Sequence, residues 1–135
     1  MKHRVLFLCT GNSARSQIAE ALVNYFRGEQ WHAVSAGTRP TGYVHPLAIA
    51  ALKEIGIDAS AARSKSADEF RNVVFDVVVT VCDSAAEECP LWLGQGKRMH
   101  IGFPDPAKGT LADFRAVRDD IQHKIIARLD SFTRA

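Results

Sequence analysis

The feature that most narrows the fold is the run Phe75-Asp76-Val77-Val78-Val79-Thr80-Val81, rich in valine and almost uninterrupted. β-Branched residues suit a pleated strand, and a strand apolar along nearly its whole length needs cover on both faces, as in the middle of a parallel sheet. A second apolar run, Val5-Leu6-Phe7-Leu8, has the same character. It breaks at Cys9-Thr10-Gly11-Asn12-Ser13, after which Ile18, Leu22 and Tyr25-Phe26 recur on one side of a helix that stops near Gly28. The chain therefore opens as strand, polar glycine-containing loop, helix.

The alternation continues. Residues 32–36 read as a strand, and 37–44, with Pro40 and Gly42, as a loop. A helix is predicted over 46–55: Pro46 suits its first position, Leu47, Ala48, Ala51, Leu52 and Ile55 form a stripe, and Gly56 stops it. Ser66-Ala67-Asp68-Glu69 has the pattern of a capping box opening a short helical turn. Residues 97–101 read as a last strand, followed by the loop Gly102-Phe103-Pro104-Asp105-Pro106. Thr110 and Asp113 can cap a final helix on which Phe114, Val117, Ile121, Ile125, Leu129 and Phe132 share a face. This order predicts an α/β fold, a three-layer sandwich around a central four-stranded parallel sheet with right-handed crossovers. A length of 135 residues fits one domain, 1–135, with one core. Cys9, Cys82 and Asp105 all fall just after predicted strands, so one rim of the sheet should gather them, where open α/β folds place ligands.

Composition narrows the partners. Seventeen Lys plus Arg against fifteen Asp plus Glu leave a formal charge of +2, with none of the basic excess of a nucleic-acid binder. The opening Met1-Lys2-His3-Arg4 leads into only four apolar residues, too few for a signal-peptide core or a membrane span. The expectation is a cytoplasmic protein with neither nucleic acid nor membrane as partner. Three cysteines, Cys9, Cys82 and Cys89, are too few and odd in number for a secreted disulfide framework. In a reducing compartment they are structural thiols, ligands or chemistry.

Cys9 and Arg15 lie six positions apart across the predicted strand-to-helix turn. Successive backbone N–H groups there can form an anion nest, and the following helix adds its positive end. Arg15 can hold two oxygens of one ligand through its rigid fork of donors. The same donors would stabilise a Cys9 thiolate, making it a nucleophile. A buried, inert Cys9 and a surface Arg15 are the plainer alternative, but cysteine, nest, arginine and helix start coincide here. The loop is neither a nucleotide P-loop, lacking Gly-Lys-Ser/Thr, nor a Gly-x-Gly-x-x-Gly dinucleotide turn. The spacing of Cys82 and Cys89 alone leaves open two unrelated thiols or a redox pair, and is too wide for a zinc knuckle. Asp105, between Pro104 and Pro106, fits a surface turn as well as a proton donor of fixed aim.

The string from Cys9 to Ser16 resembles the active-site loop of low-molecular-weight protein tyrosine phosphatases and of the thioredoxin-coupled arsenate reductases built on the same fold. The resemblance runs on through Ser35-Ala36-Gly37, Val44-His45-Pro46, Gly56-Ile57-Asp58, Val79-Thr80-Val81-Cys82, Cys89-Pro90, Asp105-Pro106 and Val117-Arg118. Cysteines at 82 and 89 point to the reductase branch. What the resemblance implies is a cycle with no bound organic cofactor. Thr10, Gly11, Asn12, Ser13, Ala14, Arg15 and Ser16 would hold the arsenate or a phosphate-like oxyanion, Cys9 would attack it, and Asp105 would act as general acid. Ser16 would bond the Cys9 sulfur and Asn12 would brace the loop. Cys82 would then displace arsenite from Cys9, Cys89 would take over Cys82, and thioredoxin would reduce the Cys82–Cys89 disulfide. Many relatives carry a second cysteine where this chain has Ala14, a position outside that relay.

Some of these reductases resemble one another in a potassium site made by Asn, Glu, Ser and Asp. Asn12, Glu20 and Ser35 match the first three, but Lys65 stands in place of the Asp. Its ammonium could pair with Glu20 and replace the cation, or simply face solvent; no required metal is expected. Arg118 and Lys97 are expected to be ordinary surface or supporting charges. Two other functions stay open: a phosphatase for phosphotyrosine or another aryl phosphate using Cys9 and Asp105, and a non-catalytic oxyanion or redox sensor. Against the phosphatase, Ala107-Lys108 rather than aromatic residues follow Asp105-Pro106.

Overall fold

The computed structural model describes residues 2–82 and 97–133. Four strands, β1 (His3–Cys9), β2 (Trp31–Gly37), β3 (Val77–Thr80) and β4 (Lys97–His100), form one parallel sheet in the order β2-β1-β3-β4. The helices are α1 (Arg15–Phe26), α2 (Pro46–Lys53) and α3 (Leu111–Lys124), with short 3₁₀ segments at Ala67–Phe70 and Ile126–Thr133. This is the α/β three-layer sandwich that the alternating pattern predicts.

The two apolar runs take the two central places. Val5, Leu6, Phe7 and Leu8 have no exposed surface, and Val77, Val78 and Val79 are equally buried, so both strands are covered on both faces. Register sets Leu8 opposite Ala36 on one side and Thr80 on the other, which brings the carboxyl ends of β1, β2 and β3 level. The edge strand β4 is by contrast largely exposed and carries Lys97 and Arg98, charges that discourage pairing with a further strand. β3 is shorter than the 75–81 run, although backbone pairing continues past both of its ends, through Asp76 N to the Arg4 carbonyl and Val81 N to the Leu8 carbonyl, each at 2.9 Å.

α1 packs on β1 and β2 through Ile18, Ala19, Leu22 and Val23 and is flanked by α2 and α3. Two expectations need correction. Tyr25 and Phe26 do not continue the buried stripe; they are 55% and 43% exposed, and their rings meet edge to face at 5.0 Å rather than resting on the sheet. Arg118 is not a surface charge: only 8% exposed, it donates to the Ala51 carbonyl at 2.7 Å and to Glu54 at 3.1 Å, tying α3 to the end of α2. The stripe of the final helix is buried through Phe132, although the backbone tightens to 3₁₀ after Lys124.

Candidate active site

Cys9 ends β1, and the chain turns at once into residues 10–14 and the first turn of α1. Cys9 is 2% exposed. Ser16 Oγ lies 2.8 Å from the Cys9 sulfur, and the Asn12 amide donates to it at 3.3 Å. No side chain caps α1, so its first-turn amides are not taken up by a cap of its own.

Asn12 is the keystone of the loop. It adopts φ +50°, a left-handed conformation that costs a non-glycine residue about 1–3 kcal/mol and persists where surroundings over-determine it. Its fully buried side chain supplies that determination. Asn12 Nδ2 donates to Ser16 Oγ at 2.8 Å and to Ser35 Oγ at 3.0 Å, while its Oδ1 accepts from Gln17 Nε2 at 2.9 Å and from the Lys65 amide at 2.9 Å. Behind it, Ser35 Oγ donates to Glu20 Oε1 at 3.0 Å, and Lys65 Nζ lies 3.4 Å from the same oxygen. Asn12, Ser16, Glu20, Ser35 and Lys65 are thus gathered in one chain of contacts running from a charged pair to the Cys9 thiol. Gly37 makes this possible: a Cβ there would stand 2.5 Å from the Thr10 carbonyl oxygen and 3.1 Å from Asn12 Cβ.

The remaining loop residues are held from outside. The Ser13 carbonyl accepts from the His45 amide at 2.9 Å, the Gly11 carbonyl accepts from Thr41 N at 2.9 Å and Ser64 Oγ at 3.0 Å, and Ala14 is buried. Ser64 and Gln17 are site residues that sequence reasoning did not single out. Gln17 gave one usable signal, a polar side chain next to Ile18 on the buried side of an amphipathic helix.

Arg15 links this loop to the one after β4. Its guanidinium donates to the Phe103 carbonyl at 3.1 Å and lies 3.9 Å from Asp105 Oδ2. Asp105 Oδ1 accepts from the Ala107 amide at 3.0 Å, and the Asp105 side chain is 60% exposed. Cys82 follows β3 and is 4% exposed; its sulfur lies 3.4 Å from Thr10 Oγ1, beside the residue that follows Cys9. Both cysteines are free thiols. Thr10, Arg15, Cys82, Gly102, Phe103, Pro104 and Asp105 line an open cleft of about 520 Å³. Cys89 lies outside the described residues. Among the described residues, no helix is long and apolar enough to cross a membrane, and no group of three or more His, Cys, Asp or Glu could hold a metal ion.

A buried thiol at the end of the first strand, with an arginine and a carboxylate on the adjoining loops, has the make-up of a cysteine-based enzyme site. The chain belongs to the family described as low molecular weight phosphotyrosine protein phosphatase, whose model matches residues 4–134. Within it, the chain is closely related to bacterial arsenate reductases. It is 44% identical over 130 residues to the arsenate reductase of Halalkalibacterium halodurans, covering 92% of this chain and 93% of that one. Among solved structures, an arsenate reductase in the phosphate-binding state is 31% identical with a TM-score of 0.86, covering 98% and 99% of the two chains. A low molecular weight protein tyrosine phosphatase from T. tengcongensis is 26% identical with a TM-score of 0.80, over 96% and 99%.

Proposed function

We propose that this enzyme reduces arsenate to arsenite through a relay of Cys9, Cys82 and Cys89, with thioredoxin as the external dithiol. The loop amides of residues 10–16 and the Arg15 fork bind the oxyanion, and the Cys9 thiolate attacks arsenic. Asp105 gives its proton to the departing oxygen, which leaves as water; such transfers contribute about 10²–10⁴-fold. Cys82 then attacks the Cys9 sulfur. The arsenic–sulfur bonding pair passes to arsenic, As(V) becomes As(III), and arsenite leaves behind a Cys9–Cys82 disulfide. Cys89 attacks Cys82, freeing Cys9, and thioredoxin returns two electrons to the Cys82–Cys89 disulfide. Lys65 serves Glu20 as an internal cation behind the loop.

The observation that carries this reading is Cys82 Sγ at 3.4 Å from Thr10 Oγ1, a second free thiol beside the nucleophile's own loop. Phosphoester hydrolysis has no use for such a thiol; electron transfer requires one. The test is arsenate turnover with a thioredoxin system, run beside hydrolysis of an aryl phosphate. Multiple arsenite equivalents per enzyme, abolished by Cys9→Ser, are expected. Rapid aryl phosphate hydrolysis with no arsenite formed contradicts the proposal and selects the phosphatase; binding of phosphate with neither reaction selects the sensor.

A further inference from the structure

We propose that His45 is a positioning residue that clamps the Asp105 loop to the oxyanion loop and so fixes the aim of Asp105; the inference rests on Asp105 acting as proton donor. His45 stands immediately before Pro46, the first residue of α2, and joins three parts of the molecule. Its backbone N–H donates to the Ser13 carbonyl at 2.9 Å, within the Cys9 loop. Its ring Nδ1 accepts from the Leu47 amide at 3.1 Å, capping α2. Its ring Nε2 lies 3.2 Å from the Ala107 carbonyl oxygen, two residues beyond Asp105.

Those partners leave the ring one arrangement. A backbone N–H can only donate and a carbonyl oxygen can only accept, so Nδ1 carries the lone pair and Nε2 the proton. The neutral Nε2–H tautomer satisfies both contacts at once. Ring orientation is fixed by packing on Phe114, fully buried on α3, with centroids 4.6 Å apart and planes at 41°.

Ala107 is the point where the clamp reaches the chemistry. Its carbonyl takes the imidazole proton, and its own amide donates to Asp105 Oδ1 at 3.0 Å. The other carboxylate oxygen has Arg15 at 3.9 Å, and the side chain is 60% exposed. One backbone donor therefore sets the direction of this carboxyl group, and the residue supplying that donor is tied down through His45. An N-cap needs only one short acceptor, which Asn, Asp or Ser would supply. The imidazole's second nitrogen is what reaches the opposite loop.

Two substitutions separate the roles, because the Asn amide overlays Nδ1 and the Gln amide overlays Nε2. His45→Asn should keep the cap and the thermal midpoint while losing the clamp. It should lower kcat for arsenate about 5- to 50-fold, a share of the about 10²-fold that a 1 Å misplacement can cost, with inhibition by inorganic phosphate unchanged within twofold. His45→Gln should do the reverse, keeping kcat within about threefold while lowering the thermal midpoint. In an Asp105→Asn background, His45→Asn should cost nothing further, since the group it aims is gone. A purely structural His45 would move phosphate affinity and stability together and would add its loss to that of Asp105→Asn; either result overturns the proposal, as does full kcat in His45→Asn. Should the Asn variant fail to fold, ¹⁵N imidazole shifts of the unmodified protein still decide: an Nε2–H tautomer supports the clamp and an Nδ1–H tautomer overturns it. Unchanged kcat in Asp105→Asn alone marks failure of the underlying reading rather than of the clamp geometry.

Discussion

Asn12 and Asp105 stand on facing loops at the same rim of the sheet, and they are held in opposite ways. Asn12 is fully buried, and its side chain makes four hydrogen bonds with four different residues, donating two and accepting two. Asp105 is mostly exposed, with one backbone donor and an arginine 3.9 Å away. The loop proposed to bind the oxyanion is thus pre-organised: its donors are fixed before any ligand arrives, so little reorganisation is left for the reaction. The loop proposed to give the proton has few anchors and can be re-aimed by a single contact. Damage to the first should cost fold and binding together, while damage to the second should cost rate alone.

The sharpest way to break this contrast is Asn12→Ala. It removes the common partner of Ser16, Ser35, Gln17 and the Lys65 amide; at roughly 0.5–1.5 kcal/mol per lost hydrogen bond, a net loss of about 2–4 kcal/mol is expected after relaxation. Phosphate binding should vanish with it, as followed by denaturant unfolding and ligand protection against thiol alkylation. An Asn12→Ala protein of natural stability that still binds phosphate would show the network to be ornamental. Asp105→Asn should leave both stability and phosphate affinity intact while slowing the first chemical step about 10²–10⁴-fold. If affinity falls and the rate does not, Asp105 is a turn residue.

Lys65→Asp probes the charged pair behind the rigid loop. Opposite Glu20 it replaces an ion pair at 3.4 Å with two carboxylates, so turnover should fall several-fold in sodium salts and recover in potassium. The natural chain should run equally in both, as initial rates in matched chloride buffers would reveal. The smallest effect is expected far from either loop, at Glu54. The Arg115 hydrogen bond holds its carboxyl below the ordinary value of 4.5, with Arg118 adding to the effect. A carboxylate so lowered contributes stability above that value and loses it as pH falls further, through the folded-state value. Glu54→Gln should therefore flatten the acid limb of a stability–pH curve below about pH 4.5, and leave turnover at neutral pH unchanged.

The same contrast explains what was legible in the sequence. The order of strands and helices, the central valine run and the Cys9-to-Ser16 loop are local patterns, each carried by neighbouring residues and the two periodicities of backbone structure. Periodicity says which face a residue occupies, not whether anything covers that face, which is why Tyr25 and Phe26 read as core yet remain exposed. Contacts between distant segments leave no local trace. Arg118 is buried because it meets the Ala51 carbonyl 67 positions away, and His45 reaches Ala107 across 62. Gln17 directly follows the Cys9-to-Ser16 loop, but its bonds to Asn12 and the Arg63 carbonyl appear only once the loop is closed.

The cysteine relay is tested most directly by counting electrons in Cys89→Ser. Without Cys89, Cys82 can still attack the Cys9 adduct once, so the protein should release about one arsenite per enzyme and stall. Peptide mapping should then find Cys9 and Cys82 joined, while hydrolysis of a small aryl phosphate by the reduced protein, if the loop supports it, should be little changed. Undiminished multiple turnover of Cys89→Ser with thioredoxin as the sole reductant would contradict the account.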